Sequence, residues 1–330
     1  MKKIFYTEDN PLVKNLILLD GFARTGKLFL GKIMAGLSDI DYFQSISVLE
    51  YLPFLWRLGG LSEDGAIALI RKTIDENAYN RRIGRNLNTR IIDASSIYNS
   101  PEFKDYLRKA TEVFGDISLT SNKIIEDFWK TSRRSLFILH EVLPNIGVYF
   151  KAYPQLKMIN LIRNPIDVIY SCLLRGWGKR FGSDPLNFTP SVNSPYGPLP
   201  WLAYEWKEEY KRLSETDRVI KSIYSLTQMC KETYRKLEQK QKKRILFVRF
   251  EHVVERTNDE IDSICSFLGT KPLESLPVIL TREKCPNEIS VRKRRQKMDH
   301  IHGKASSQGY DLMVELVREY EKRENPYIKE

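Results

Sequence analysis

Gly21-Phe22-Ala23-Arg24-Thr25-Gly26-Lys27 is the stretch on which the fold turns. It follows the apolar run Leu16-Ile17-Leu18-Leu19 and opens a segment, Leu28 to Leu37, whose apolar residues recur at helical spacing. A buried strand, a glycine-bracketed turn and a helix N-terminus make an anion cradle. Successive backbone N–H groups point into one concavity, and the helix dipole favours negative charge there. The spacing fits G-x-x-x-x-G-K, but the next residue is Leu28, where a magnesium-dependent nucleotide triphosphatase places Ser or Thr. The loop therefore calls for a phosphate, and Leu28 argues against a triphosphate held through Mg²⁺.

Outward from the loop, the runs Leu136 to Leu139, Met158 to Ile162 and Ile245 to Val248 read as buried parallel strands, and Arg90 to Ala94 as a less apolar one. Helix-forming stretches alternate with them: Asp64 to Asn77, Trp201 to Lys242 and Asn258 to Leu268. This order predicts an α/β fold of three layers, a central parallel sheet flanked by helices, and the G-x-x-x-x-G-K spacing gives it a resemblance to P-loop nucleotide hydrolases. Ligands of such sheets sit beyond the carboxyl ends of the strands. The polar residues that follow each run are then the candidates: Arg24, Thr25 and Lys27; His140 and Glu141; Arg163 and Asn164; Arg249 and Glu251. No repeat, low-complexity tract or firm boundary interrupts the chain, so one domain over residues 1–330 is expected. Gly182 to Pro200, rich in Pro, Ser, Asn and Gly, reads as a loop or lid.

The 330 residues are 42% apolar and 29% charged, which suits a globular protein with a sizeable core. A net charge of +11 fits an anionic ligand, nucleic acid or a membrane surface without choosing among them. No nucleic-acid module is recognisable, and no window approaches the roughly 20 apolar residues of a membrane span. The start, Met1-Lys2-Lys3-Ile4-Phe5, leads into Glu8, Asp9, Asn10 and Pro11, which break any signal-peptide core. Cys172, Cys230, Cys265 and Cys285 lie far apart with no C-x-x-C spacing. They read as free thiols in a reducing compartment, with no metal site, and a cytoplasmic location is expected.

A second element, Arg163-Asn164-Pro165-Ile166-Asp167-Val168-Ile169-Tyr170-Ser171, leaves a strand and enters a helix. An Arg fork with a hydroxyl about two turns along is a receptor for a second phosphate. The alternative is a plain strand-to-helix joint whose Arg pairs with Asp167. Together the two motifs resemble those of the sulfotransferases that use 3′-phosphoadenosine 5′-phosphosulfate (PAPS). Ala23-Arg24-Thr25-Gly26-Lys27-Leu28 is similar to the family's P-[KR]-[ST]-G-T-[TS] loop, which grips the 5′-phosphosulfate. Arg163, Asn164, Pro165, Asp167 and Ser171 match its R-[ND]-P-x-D-x-x-x-S element, which grips the 3′-phosphate. Arg249-Phe250-Glu251-His252-Val253 resembles its R-[YF]-E-D-L segment, and Ile264 to Gly269 the helix that follows. Lys27 and Leu28 depart from the family's two hydroxyl residues. Lys27 either adds a point charge to the site or points into solvent.

The resemblance implies sulfuryl transfer from PAPS to a hydroxyl or amine of a small-molecule, glycan or lipid acceptor, without a metal. It implies a donor site of Arg24, Thr25, Gly26, Lys27, Leu28, Phe29, Arg163 and Ser171. From the basic run Arg292 to Lys297 it adds Arg292 and Lys293, on a C-terminal loop closing over the 3′-phosphate. Arg24 would neutralise the leaving phosphate and His140 would take the acceptor proton, in the place where cytosolic members keep a catalytic His. The family's lysine two residues earlier is Ile138 here. Glu141 is the alternative base, and in an extended strand only one of His140 and Glu141 can face the cleft. Residues 79–99 and 175–201 are expected to shape the acceptor site. Arg81, Arg82, Arg85 and Arg90 either suit an anionic acceptor or form a solvated helix face. Trp177, Trp201, Tyr204 and Trp206 either stack on an acceptor or pack the core. The rival readings are a P-loop kinase or triphosphatase, with Asp93 as its magnesium ligand, a polyanion binder, and a family member that binds the nucleotide without catalysis.

Overall fold

Alternate side chains of the apolar runs divide between two faces, and that division builds the layers. The computed structural model describes residues 10–111, 117–180, 188–322, 325 and 327. Its strands are β1 (Leu16–Asp20), β2 (Ser135–Ile138), β3 (Lys157–Ile162), β4 (Ser191–Val192), β5 (Leu199–Pro200) and β6 (Ile245–Arg249). Four of them form one sheet in the order β2-β1-β3-β6, with every pair parallel. Ile17 and Leu19 of β1 pack on one face in a cluster with Leu30, Ile33 and Met34 of α1 (Lys27–Met34). Leu16 and Leu18 join the opposite cluster, with Ile70 and Ile74 of α2 (Glu63–Arg82). A strand buried on both faces has no polar side to spare, which is why β1 reads as an unbroken apolar run.

The chain leaving α1 runs along the outer edge of β2. There Gln44 N–H donates to Leu136 O (3.0 Å) and Ile138 N–H to Gln44 O (2.8 Å). This pairing delivers a further helix, Ser47–Arg57, to the carboxyl end of β2. Its Leu49 is fully buried, and the Tyr149 hydroxyl donates to Leu49 O. Beyond β3, α3 (Pro165–Leu174) starts on Pro165, and the Asn164 side chain caps it by accepting from Ile166 N–H at 3.0 Å.

One expected strand and one expected helix differ. Arg90 to Ala94 is a turn and not a strand. Arg90 N–H donates to Asn88 Oδ1 and Asp93 N–H to Arg90 O, local bonds that displace a ladder, and Ile91 and Ile92 are exposed. Asp93 therefore sits at no strand end. Trp201 to Lys242 is not one helix but a 3₁₀ turn (Trp201–Trp206), a short helix (Lys207–Tyr210), α4 (Glu215–Lys236) and a last turn (Gln239–Lys242). The break falls at Ser214, whose hydroxyl accepts from Asp217 N–H (3.1 Å) and restarts the helix. Of the expected lid, residues 182–187 lie outside the described residues, as do Met1 to Phe5; β4 and β5 pair antiparallel within the remainder. All four cysteines are free and buried. Among the described residues no helix is long and apolar enough to cross a membrane.

Candidate active site

The first loop hangs from Asp20, the buried last residue of β1. Its Oδ1 accepts from Val142 N–H (3.2 Å), and its Oδ2 from Leu143 N–H (2.9 Å) and the Asn160 amide (3.2 Å). Burial pushes this carboxyl up to about 6, against the opposing charge of Lys27. Gly26 then takes φ 101° at the head of α1, a conformation that an L side chain rarely adopts; a Cβ there would also lie 2.6 Å from the Phe250 ring. No side chain caps α1, so its first N–H groups are left to the concavity. Thr25 is buried and its hydroxyl donates to Phe22 O (2.8 Å).

Lys27 takes neither of the two expected places. It is 3% exposed, and Nζ donates to Gly21 O (2.8 Å) and Phe22 O (2.6 Å), bracing the loop from within. Burial lowers its ammonium below the usual lysine range, while Asp20 and Glu141 oppose the shift. Leu28 stays partly exposed, and Phe29 packs on Phe250 at 5.6 Å.

The two motifs from which phosphate binding is expected meet. Arg24, at φ 71°, donates from Nε to Ser171 Oγ (2.8 Å), and Arg163 Nη1 donates to Arg24 O (3.1 Å). The Arg163 guanidinium lies over the Phe250 ring at 4.2 Å, and its buried Nε has no hydrogen-bond partner. Arg163 forms no ion pair with Asp167. Asp167 instead binds Arg294 (3.0 Å) and Lys297. Although burial opposes it, the Lys297 bond and the charges of Arg163 and Arg294 hold the Asp167 carboxyl below its ordinary range.

The basic run that supplies Arg294 and Lys297 is a helix, α5 (Val291–His302), and not a loop. Residues three apart share a helix face, so Arg294 and Lys297 turn inward while Arg292 and Lys293 are exposed. Glu251 joins these parts by accepting from Asn164 N–H (3.1 Å), Arg294 (3.2 Å) and the Tyr320 hydroxyl. The roles of Arg294, Lys297, Phe250 and Glu251 were not read from the sequence. Helical spacing within the basic run was a signal available for the first two.

Beside the loop lies a cavity of about 220 Å³. Both His140 and Glu141 line it, contrary to the strand alternation expected for them. β2 ends at Ile138, and Glu141 adopts φ 60°, so the two-residue period no longer applies. Glu50 also lines the cavity: its Oε1 lies 2.7 Å from His140 Nδ1 and accepts from His140 N–H at 3.0 Å. Burial and the nearby Lys27 lower the imidazole pKa, and Glu50 works against them. Glu141 is shifted upward, by burial first and then by Glu50, with Lys27 opposing. No local pattern marks Glu50, because its relation to His140 exists only across the fold.

Trp177, Phe188, Thr189, Pro190 and Trp201 bring the 175–201 stretch to the cavity wall, whereas no lining residue comes from 79–99. Arg81 and Arg82 are buried, Arg81 donating to Phe43 O (3.4 Å) and Arg82 pairing with Asp41 (3.2 Å) and Asp127. Neither is a solvated face, and neither lines the cavity; Arg85 and Arg90 are exposed and do not line it either. Trp206 packs on Tyr210, and Tyr204 lies under the Lys207 ammonium at 4.5 Å.

Comparison with known proteins follows this geometry. A sulfotransferase domain profile matches residues 16–285. No curated protein sequence matches the chain. Among solved structures, the sulfotransferase domain of the curacin biosynthetic pathway is 15% identical, with 85% of this chain and 80% of that one covered and a TM-score of 0.44. The sulfotransferase domain of the Synechococcus PCC 7002 olefin synthase is 13% identical, with 97% and 98% covered and a TM-score of 0.45. A mouse sulfotransferase solved with 3′-phosphoadenosine 5′-phosphate (PAP) is 13% identical, with 91% and 89% covered and a TM-score of 0.35. On the extent of the domain match, this chain belongs to the sulfotransferase domain family.

Proposed function

We propose that the chain transfers a sulfuryl group from PAPS to a hydroxyl or amine of a small-molecule, glycan or lipid acceptor, with no metal. The carrying observation is the junction of the two motifs, Arg24 on Ser171 and Arg163 on the Arg24 carbonyl, at the carboxyl ends of β1 and β3. The buried, unpartnered Arg163 Nε fits an anionic ligand, since such a donor is costly to leave without an acceptor.

When bound, PAPS supplies an activated sulfuryl group that moves to the acceptor oxygen or nitrogen as PAP departs. The N–H groups of residues 26–28 and the Arg24 guanidinium would hold the 5′ end and stabilise charge developing on the departing phosphate. Arg163 and Ser171 would hold the 3′-phosphate, with Phe29 and Phe250 beside it. His140 would take the acceptor proton at Nε2. The acceptor would enter the cavity between Tyr51, Phe54, Trp177 and Trp201.

Titration with PAP tests the donor site. Micromolar-range binding is expected, weakened roughly 100-fold or more in Arg163→Ala, because the loss of one partner leaves buried phosphate charge unpaired. Binding that ignores this substitution would overturn the reading. One observation favours a variant of the mechanism: Glu141 lines the same cavity with a raised carboxyl pKa, which makes it the competing base.

A further inference from the structure

Glu50 stands in the first turns of the helix Ser47–Arg57, 90 residues before His140 in the chain. A single oxygen of its carboxylate meets His140 twice, at the backbone N–H (3.0 Å) and at ring Nδ1 (2.7 Å). An ionised carboxylate only accepts hydrogen bonds, so the ring nitrogen facing it must carry the proton. In a neutral imidazole the other nitrogen, Nε2, then holds the lone pair. Among the described residues Nε2 makes no hydrogen bond, and the ring borders the cavity with 37% of its side chain exposed. The helix turn that carries Glu50 is anchored, since the neighbouring Leu49 is fully buried and its carbonyl is held by the Tyr149 hydroxyl.

We propose that Glu50 is the positioning residue of this site: it fixes His140 as the Nδ1–H tautomer and presents Nε2 to the acceptor. The inference rests on the reading of His140 as the base, but its physical content is the tautomer, which is measurable without turnover. Glu50 has a second effect through charge. The charged groups bearing on the ring are Glu50, Lys27 of α1 and Arg24 of the loop, and the adjoining Glu141 lines the same cavity. The two cations disfavour the imidazolium, and Glu50 is the carboxylate in direct contact that favours it. Removing its charge moves any activity limb governed by His140 to lower pH and weakens the base.

The chain has four histidines, so selective ¹⁵N-histidine labelling with His140→Gln for assignment isolates one ring. In the protein alone, at neutral pH, His140 should show a protonated Nδ1 and an unprotonated Nε2. Glu50→Gln and Glu50→Ala should show a mixture or the opposite tautomer. In turnover, kcat should fall roughly tenfold in Glu50→Gln and about 100-fold in Glu50→Ala, with PAP affinity within about twofold of the wild type. Glu50→Asp should recover part of the loss.

A wild-type ring protonated at Nε2, or an unchanged tautomer in Glu50→Ala, would overturn the proposal even in an active sulfotransferase. The tautomer as expected, in a protein that binds no PAP, would count against the functional reading and leave this one standing. The pH limb alone does not separate the two bases, because the Glu50 charge acts on Glu141 as well. The ring spectrum does.

Discussion

A base acts only in its unprotonated form, and the surroundings of His140 push the imidazole toward that form, although Glu50 opposes the shift. Burial and Lys27 hold its pKa below the ordinary histidine value. Turnover should therefore rise through a limb below about pH 6.5 and be flat above it. His140→Ala should lower kcat by about 100- to 10,000-fold and leave PAP affinity within about twofold. A limb that instead lies near neutrality, survives His140→Ala and disappears in Glu141→Gln would transfer the role to Glu141, whose carboxyl is shifted upward. Arg24, Arg163 and His140 were legible as types that follow strand ends, and Ser171 by its spacing along the helix after β3. Lys27 was not, because whether a lysine reaches out or folds back depends on the carbonyls of Gly21 and Phe22 beneath it.

Between elements, apolar clusters join the layers and buried polar groups fix the loops at the strand ends. Asp20 ties β1 to β3 and to the turn after β2 through three accepted hydrogen bonds. Asp20→Ala leaves those donors buried without partners, and a loss of about 3 kcal/mol in denaturant unfolding is expected. Its pH dependence has a definite sign. The folded carboxyl titrates near 6, above an unfolded aspartate, so folding favours the protonated form. That contribution is complete below about pH 4 and is lost as pH rises through 6. Comparison of stability at pH 4.5 and pH 7 should show a smaller pH dependence in Asp20→Ala than in the wild type over this window. Helix and strand identity was largely legible from apolar spacing. The failures at Arg90 to Ala94 and at Ser214 came from side-chain and turn hydrogen bonds that compete with the regular ladder.

Across the whole molecule, a net charge of +11 accompanies a site proposed for a multiply charged anion. The association rate of PAP should fall as salt rises from about 20 to 300 mM, because the Debye length shrinks from roughly 20 to 6 Å. A rate insensitive to salt, measured by stopped flow, would show that the surplus charge lies away from the entrance. By itself the sequence determined the two loop-and-helix motifs, the parallel α/β sheet and the strand ends that carry the polar residues. Those features follow from short-range rules: glycine conformation, helix N-termini and apolar periodicity act within a few residues. Only the tertiary structure decided the partners. It set Arg24 on Ser171, Arg294 and Lys297 on Asp167, and Glu50 on His140, and it buried Arg81 and Arg82. Each of these pairs joins residues far apart in the chain, and their meeting depends on how the helices pack against the sheet.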